Sequence, residues 1–169
     1  MRFNLGWVWA TVFLVFGGYI VLTADTLPVG PLATHFDFAG KPNGFQSKPV
    51  YLLFFILMNV GINALFLTLF RWIDRLPESL VNIAHKDYWF STPERKAEAF
   101  KRLRKVLCLS GIFLNGIFLI CHQMVVQANN PGFFLRVPTN GLLGIVGAVT
   151  LLFLFVIFRM VKPPAGETR

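Results

Sequence analysis

Four stretches free of Asp, Glu, Lys and Arg limit the fold of this chain before any other feature does. Leu5 to Leu22 runs 18 residues, Val50 to Phe70 21, Val106 to Val126 21 and Gly141 to Phe158 18, with His122 the one titratable imidazole inside them. At 1.5 Å of rise per residue, about 20 residues cross a hydrocarbon core about 30 Å thick, and a helix satisfies its own backbone hydrogen bonds there. Only 14% of the residues are charged while 55% are hydrophobic, so the remaining polar surface is too small to wrap four such segments in water. The chain therefore reads as one all-α integral membrane domain over residues 1–169. It is a four-transmembrane-helix bundle with spans near 5–22, 50–70, 106–126 and 141–160, an outer loop or small hairpin over 23–49 and a cytoplasmic helical extension in 71–105. The same composition excludes a disordered tail, a disulfide scaffold and a large soluble catalytic domain.

Charge orients the bundle. Thirteen of the sixteen Lys and Arg residues fall at the N-terminus, between Arg71 and Lys105, or after the last span; only Lys41, Lys48 and Arg136 lie on the other side. By the positive-inside rule both termini and the 71–105 loop are expected to be cytoplasmic and Thr23 to Pro49 and Gln127 to Asn140 to face outward. That makes the expected location a membrane crossed several times. The first span, with only Arg2 before it, reads as a retained helix rather than a cleaved signal peptide. The net charge of +8 points to anionic lipid headgroups as the partner of the basic loop rather than to nucleic acid, because Asp74, Glu78, Asp87, Glu94 and Glu98 interrupt its bases.

Catalytic signals are missing. No CxxC, HExxH, phosphate-loop or GxSxG pattern occurs. Cys108 and Cys121 sit on one helix about 20 Å apart along its axis, too far to pair. Gly141, Gly144 and Gly147 lie inside an apolar span, where small residues let another helix come close. No cofactor is expected.

Polar residues within the spans should face the bundle interior, since an unpaired amide in hydrocarbon costs several kcal/mol. Asn59 and Asn115 fall at about the same depth, and Asn63 lies one turn from Asn59, within reach of Ser110 or Asn115. These three amides read as interhelical glue; a solute path through them is the competing reading.

The outer loop carries the densest pattern. Thr34 to Phe38 alternates polar and aromatic side chains and Lys41 to Gly44 has turn-forming residues, so a small hairpin or compact loop is expected, with Phe36 and Phe38 on one face and His35 and Asp37 pointing away. His35, Asp37 and His122 all face outward in this reading and are the one candidate set for a metal ion, although no ligand spacing on one element marks them and no metal is assigned.

The segment containing Leu27, Pro28, His35, Phe36, Gly40, Pro42, Gly44, Ser47 and Lys48 resembles the signature of the DUF1648 family of membrane proteins; Ala33 stands where that pattern commonly has Pro, and Asn43 where it has Asp. A second stretch, with Asn82, Lys86, Tyr88, Trp89, Pro93, Glu94 and Arg95, resembles the cytoplasmic motif of related four-helix proteins. The resemblance covers the first three spans. It implies kinship with SdpI-type immunity and signalling proteins, which carry this domain at the front of a longer membrane chain, and hence a non-enzymatic sensor, immunity or protein-interaction role. A peptide or protein partner and self-association are compatible with that role. The competing class is a small transporter or channel component using Asn59, Asn63 and Asn115.

In the cytoplasmic loop, Ser91 and Glu94 have capping-box spacing and Pro93 suits a first helical turn. Ala97, Phe100 and Leu103 supply an apolar stripe on a helix expected to run into the third span. Tyr88 and Trp89 are expected to anchor at the headgroup level.

Overall fold

A computed structural model describes residues 5–37 and 39–164. Helix α1 (Leu5–Ala24) leads into a two-stranded antiparallel hairpin, β1 (Pro31–Phe36) and β2 (Pro42–Ser47), and then directly into α2 (Lys48–Trp72). Two single 3-10 turns, Ile73–Arg75 and Glu78–Leu80, and the one-turn α3 (Lys86–Trp89) precede α4 (Pro93–Asn129) and α5 (Thr139–Val161). Helices α1, α2, α4 and α5 are each long and apolar enough to cross a membrane. Their connectivity sets the hairpin and the α4–α5 loop at one end, called here the hairpin end. The turns between α2 and α4 lie at the other, basic end.

The elements run past the hydropathy limits for local reasons. Ser47 enters α2 in an extended conformation and Pro49 sits in its first turn, where a missing N–H costs nothing. At α4 the cap is Thr92 rather than Ser91: Thr92 Oγ1 accepts from Arg95 N at 3.3 Å and Pro93 opens the helix. Ser91 lies one residue too early and its hydroxyl instead donates to Tyr88 O at 2.8 Å. From there α4 is continuous for 37 residues, about 55 Å, so its first turns stand beyond the span as the helical extension expected from the sequence. The apolar stripe of that extension is shifted from the expected one. Ala99 and Phe100 are buried with Leu103 beside them, whereas Ala97 is exposed.

The hairpin turn differs from the expected Lys41–Gly44. The chain reverses over Asp37 to Lys41: Gly40 N donates to Asp37 O at 2.9 Å and Lys41 N to the Asp37 carboxylate at 2.8 Å. Gly40 adopts φ +77°, a conformation without penalty for glycine, so the turn forms around it, and Pro42 begins the return strand. His35 and Asp37 are exposed and Phe36 packs inward; the expected partner of Phe36, Phe38, lies outside the described residues.

Helix α1 packs on α4 and α2, forming with the hairpin a core of Phe16, Ile20, Leu27, Leu32, Tyr51, Phe55, Val125 and Val126 at the hairpin end. Among the described residues α5 packs against α4 and no other spanning helix, with Phe153 stacked on Phe113 at 4.1 Å between centroids. Among the described residues no helix comes close to Gly141, Gly144 and Gly147, contrary to the expectation. A Cβ built at Gly144 or Gly147 would meet nothing within 4 Å. Gly144 is nine residues from Phe153, half a turn round the helix, and so faces away from α4.

Candidate functional site

The polar groups of the spans converge in two clusters. Midway along the bundle, Asn115 Oδ1 accepts from Asn59 Nδ2 at 3.2 Å and Asn63 Nδ2 at 3.0 Å, and Asn115 Nδ2 donates to Asn63 Oδ1 at 2.9 Å and Gly111 O at 2.7 Å. Asn63 Oδ1 also accepts from Trp9 Nε1 at 2.6 Å, which brings α1 into the network. Trp9 comes this near because Gly111 has no side chain: a Cβ there would lie 2.7 Å from the indole. Equal depth on α2 and α4 is legible in the sequence. The part of Trp9 is not, since nothing local signals which ring of an apolar helix turns inward.

The second cluster surrounds His122 near the hairpin end. Thr23 Oγ1 donates to Tyr19 O at 2.7 Å, leaving its oxygen to accept from His122 Nε2 at 2.7 Å, while Tyr51 O–H donates to His122 Nδ1 at 2.6 Å. With the Thr23 proton given to Tyr19 O, the proton shared between Thr23 and the ring sits on Nε2. The ring stacks on Tyr51 at 5.8 Å and meets the edge of Tyr19 at 5.4 Å. His122 lies toward the hairpin end as expected, but it is fully buried with both nitrogens engaged and does not join exposed His35 and Asp37 in the candidate metal set, which is corrected. Helical phase turns it toward α1 and α2, and no group of three metal-ligating side chains forms among the described residues. Cys108 and Cys121 are both free thiols.

Gln123 and Gln127, one turn apart on α4, continue this polar face. Gln123 pairs with the Tyr19 hydroxyl and donates to Leu135 O at 2.6 Å; Gln127 donates to Val137 O at 2.8 Å and accepts from Val137 N at 3.0 Å. They thread the α4–α5 loop back over the helix end. Their i, i+4 spacing was a signal available in the sequence. Among the described residues every buried side-chain N or O atom has a hydrogen-bond partner, so the interior is a closed network.

The signature residues build the hairpin and its joints. Leu27 is buried, Pro28 exposed, and Lys48 Nζ donates to Leu27 O at 2.8 Å, tying the start of α2 to the end of α1. His35 lies across from Gly44, where a Cβ would come within 3.0 Å of the His35 Cβ. Asn129, which sequence reasoning assigned to the outer loop, is still helical and clamps β1: Ala33 N donates to its Oδ1 and its Nδ2 donates to Ala33 O, both at 2.9 Å. Exposed apolar side chains crown this end, namely Val29, Phe45 and Phe134 at 92%, 63% and 90% exposure.

At the basic end the motif between Asn82 and Arg95 contributes to a small core. Trp89 is buried with Ile73, Val81, Ile83, Ala99 and Phe100, and its Nε1 donates to Val161 O at 2.9 Å. Its expected place as a headgroup anchor is therefore corrected. Burying the indole on the end of α5 removes more apolar surface from water than an interfacial position would, and it satisfies a free helix-end carbonyl. Trp72, half exposed with Arg75 stacked 4.3 Å above its ring, has the form expected of an interfacial anchor. Tyr88 lies under Arg95 at 4.3 Å, Lys86 reaches Glu78 O, Glu94 sits in the first turn of α4, and Asn82 is exposed. Arg102 lies 4.8 Å over Trp89 and donates to Met160 O at 3.0 Å, so this core holds the end of α5 in place.

Among the cavities on the sides of the bundle, two are bordered by described residues of the spans. One, of about 430 Å³, lies between α1 and α2 with Cys108 of α4 behind it, in the half nearer the basic end. The other, of about 380 Å³, lies between α1, α4 and the α4–α5 loop near Tyr19 and Gln123. Compared with known proteins, the chain matches no family model, no curated protein and no solved structure.

Proposed function

We propose that this chain is a non-catalytic, multi-pass protein of a bacterial plasma membrane, of DUF1648 type. In this reading its termini and the 71–105 segment are cytoplasmic, and it acts as a sensor, immunity or interaction module through its outward hairpin. The observation that carries the reading is the double clamp of Asn129 on Ala33. It holds a short hairpin rigidly on the bundle while leaving Phe45 and Val29 exposed. An isolated two-stranded hairpin is marginal in water, so fixing it in this way supports presentation to a partner. A membrane-active peptide is the partner that fits an exposed apolar crown at a bilayer surface.

The alternative, a small transporter or channel component, is less well supported. Asn59, Asn63 and Asn115 form a hydrogen-bonded network that Trp9 joins through Asn63, and the stretches 5–22, 50–70, 106–126 and 141–158 carry no Asp, Glu, Lys or Arg that would couple an ion. Challenging cells that express the chain with hydrophobic toxic peptides, with and without Phe45→Ser and Asn129→Ala, tests the proposal. Protection that both substitutions abolish supports it. Ion or solute flux through liposomes containing the chain, with no protection, would favour the alternative. Protease shaving that found residues 27–48 in the cytosol would overturn the orientation.

A further inference from the structure

We infer that the cavity between α1 and α2 is a binding site for one acyl chain of an anionic phospholipid, with its phosphate held by Arg71 and Lys105; this rests on the membrane placement proposed above. The slot exists because small residues line it: Gly6 and Ala10 on α1 and Ala64 on α2 leave a gap of about 430 Å³, within the range of specific ligand pockets. Its wall is almost wholly apolar even though Trp9 and Asn63 contribute to it, because the indole N–H is already given to the Asn63 carbonyl at 2.6 Å. An occupant therefore meets hydrocarbon, not a free hydrogen-bonding group.

Two cations stand one helical turn beyond the lining residues, toward the basic end of the bundle. Arg71 follows the lining residue Leu67 by four positions on α2, and Lys105 precedes the lining residue Cys108 by three on α4, so each continues its helix's lining face by one turn. The two helices are level there, since Arg104 Nε donates to Phe70 O at 3.3 Å. Helical side chains lean toward the N-terminus. Arg71 therefore leans back toward the slot and Lys105 toward the headgroup layer.

Of the neighbouring charges, Arg104 pairs with Asp74 at 2.9 Å and Lys101 with Glu98 at 3.4 Å, while Arg75 lies over the Trp72 ring at 4.3 Å. Arg71 and Lys105 are exposed and have no ion-pair or side-chain hydrogen-bond partner among the described residues. An apolar slot with two unpaired cations at its surface end is complementary to an anionic lipid and offers no matching group to a neutral tail alone.

The test uses the full chain in phosphatidylcholine vesicles containing, at equal mole fraction, either phosphatidylglycerol or phosphatidylcholine with a photoreactive diazirine on the acyl chain. Adducts are mapped by mass spectrometry after irradiation. The phosphatidylglycerol probe is expected to label Trp9, Ala64 and Leu67 at least fivefold more than the phosphatidylcholine probe, about the preference one cation confers near a membrane surface. Both probes should label the outward Leu151 and Leu154 of α5 equally. Arg71→Gln with Lys105→Gln should abolish the excess, and Ala64→Phe should lower slot labelling by both probes. Equal labelling of the slot by the two probes in the unsubstituted chain, or an excess that survives the double substitution, overturns the site. Labelling absent from α5 as well would instead refute the membrane placement. Both charge substitutions are at exposed positions, and unchanged helical circular dichroism checks that the fold is kept.

Discussion

Replacing Asn115 by leucine, a side chain of similar size and branching, tests whether the mid-bundle amides hold the helices together. Asn115 is almost fully buried and makes three side-chain bonds to α2, two with Asn63 and one with Asn59. Interhelical bonds of this kind in a bilayer average about 0.6 kcal/mol each, so the three together contribute roughly 2 kcal/mol. The substitution also strips Asn59 Nδ2 of its acceptor, adding about 1 kcal/mol for an unsatisfied buried donor. Asn63 is spared that cost, since its Nδ2 still donates to Asn59 O at 2.6 Å and its Oδ1 still accepts from Trp9. The expected loss is about 3 kcal/mol. Asn59→Leu breaks only the 3.2 Å bond to Asn115, whose oxygen keeps Asn63 as donor, and should cost less than about 1 kcal/mol. Reversible unfolding in mixed micelles of increasing dodecyl sulfate fraction measures both. Equal losses for the two substitutions, or a loss below about 0.5 kcal/mol for Asn115→Leu, would refute the hub role of Asn115.

Three further outcomes are expected. Gly111→Ala drives a methyl to 2.7 Å from the Trp9 indole and should destabilise the bundle by about 1–3 kcal/mol, with thermal melting in detergent recovering in part when Trp9→Phe is added. Asn129→Ala removes both bonds to Ala33, each worth about 1 kcal/mol, so hydrogen exchange at the Ala33 amide should accelerate by roughly tenfold or more while the helices of the bundle exchange as before. Unchanged exchange at Ala33 would contradict the clamp. Arg102→Gln breaks the bond to Met160 O and the stacking over Trp89, and should raise exchange in the last turn of α5 without altering the hairpin.

The four apolar helices, the continuity of the basic-end helix with the third span and a hairpin or compact loop between the first two spans were legible in the sequence because each follows from local pattern. The meeting of Asn59, Asn63 and Asn115 was legible for a related reason: two antiparallel spans of known length fix depth, and amides in hydrocarbon seek amides. Other features escaped. The cap passed from Ser91 to Thr92 because one residue decides which hydroxyl reaches the amide of Arg95. The turn moved to Gly40 because a positive φ suits it there, and Trp89 moved inward because an α5 carbonyl was waiting for its N–H. His122 was grouped with His35 and Asp37 because its depth was known but its rotation about the helix axis was not.

Hydropathy is nearly additive along a chain, so the amino-acid order alone determined that four helices can cross a membrane and that most of the basic residues gather at one end. Rotation and tilt are collective properties of the packed bundle, and only the tertiary structure decided what they control. They bring Trp9 to Asn63 across 54 residues and Ala33 to Asn129 across 96, and turn the glycine face of α5 away from its neighbour. Such contacts depend on how every helix fits every other, which no short window of sequence contains.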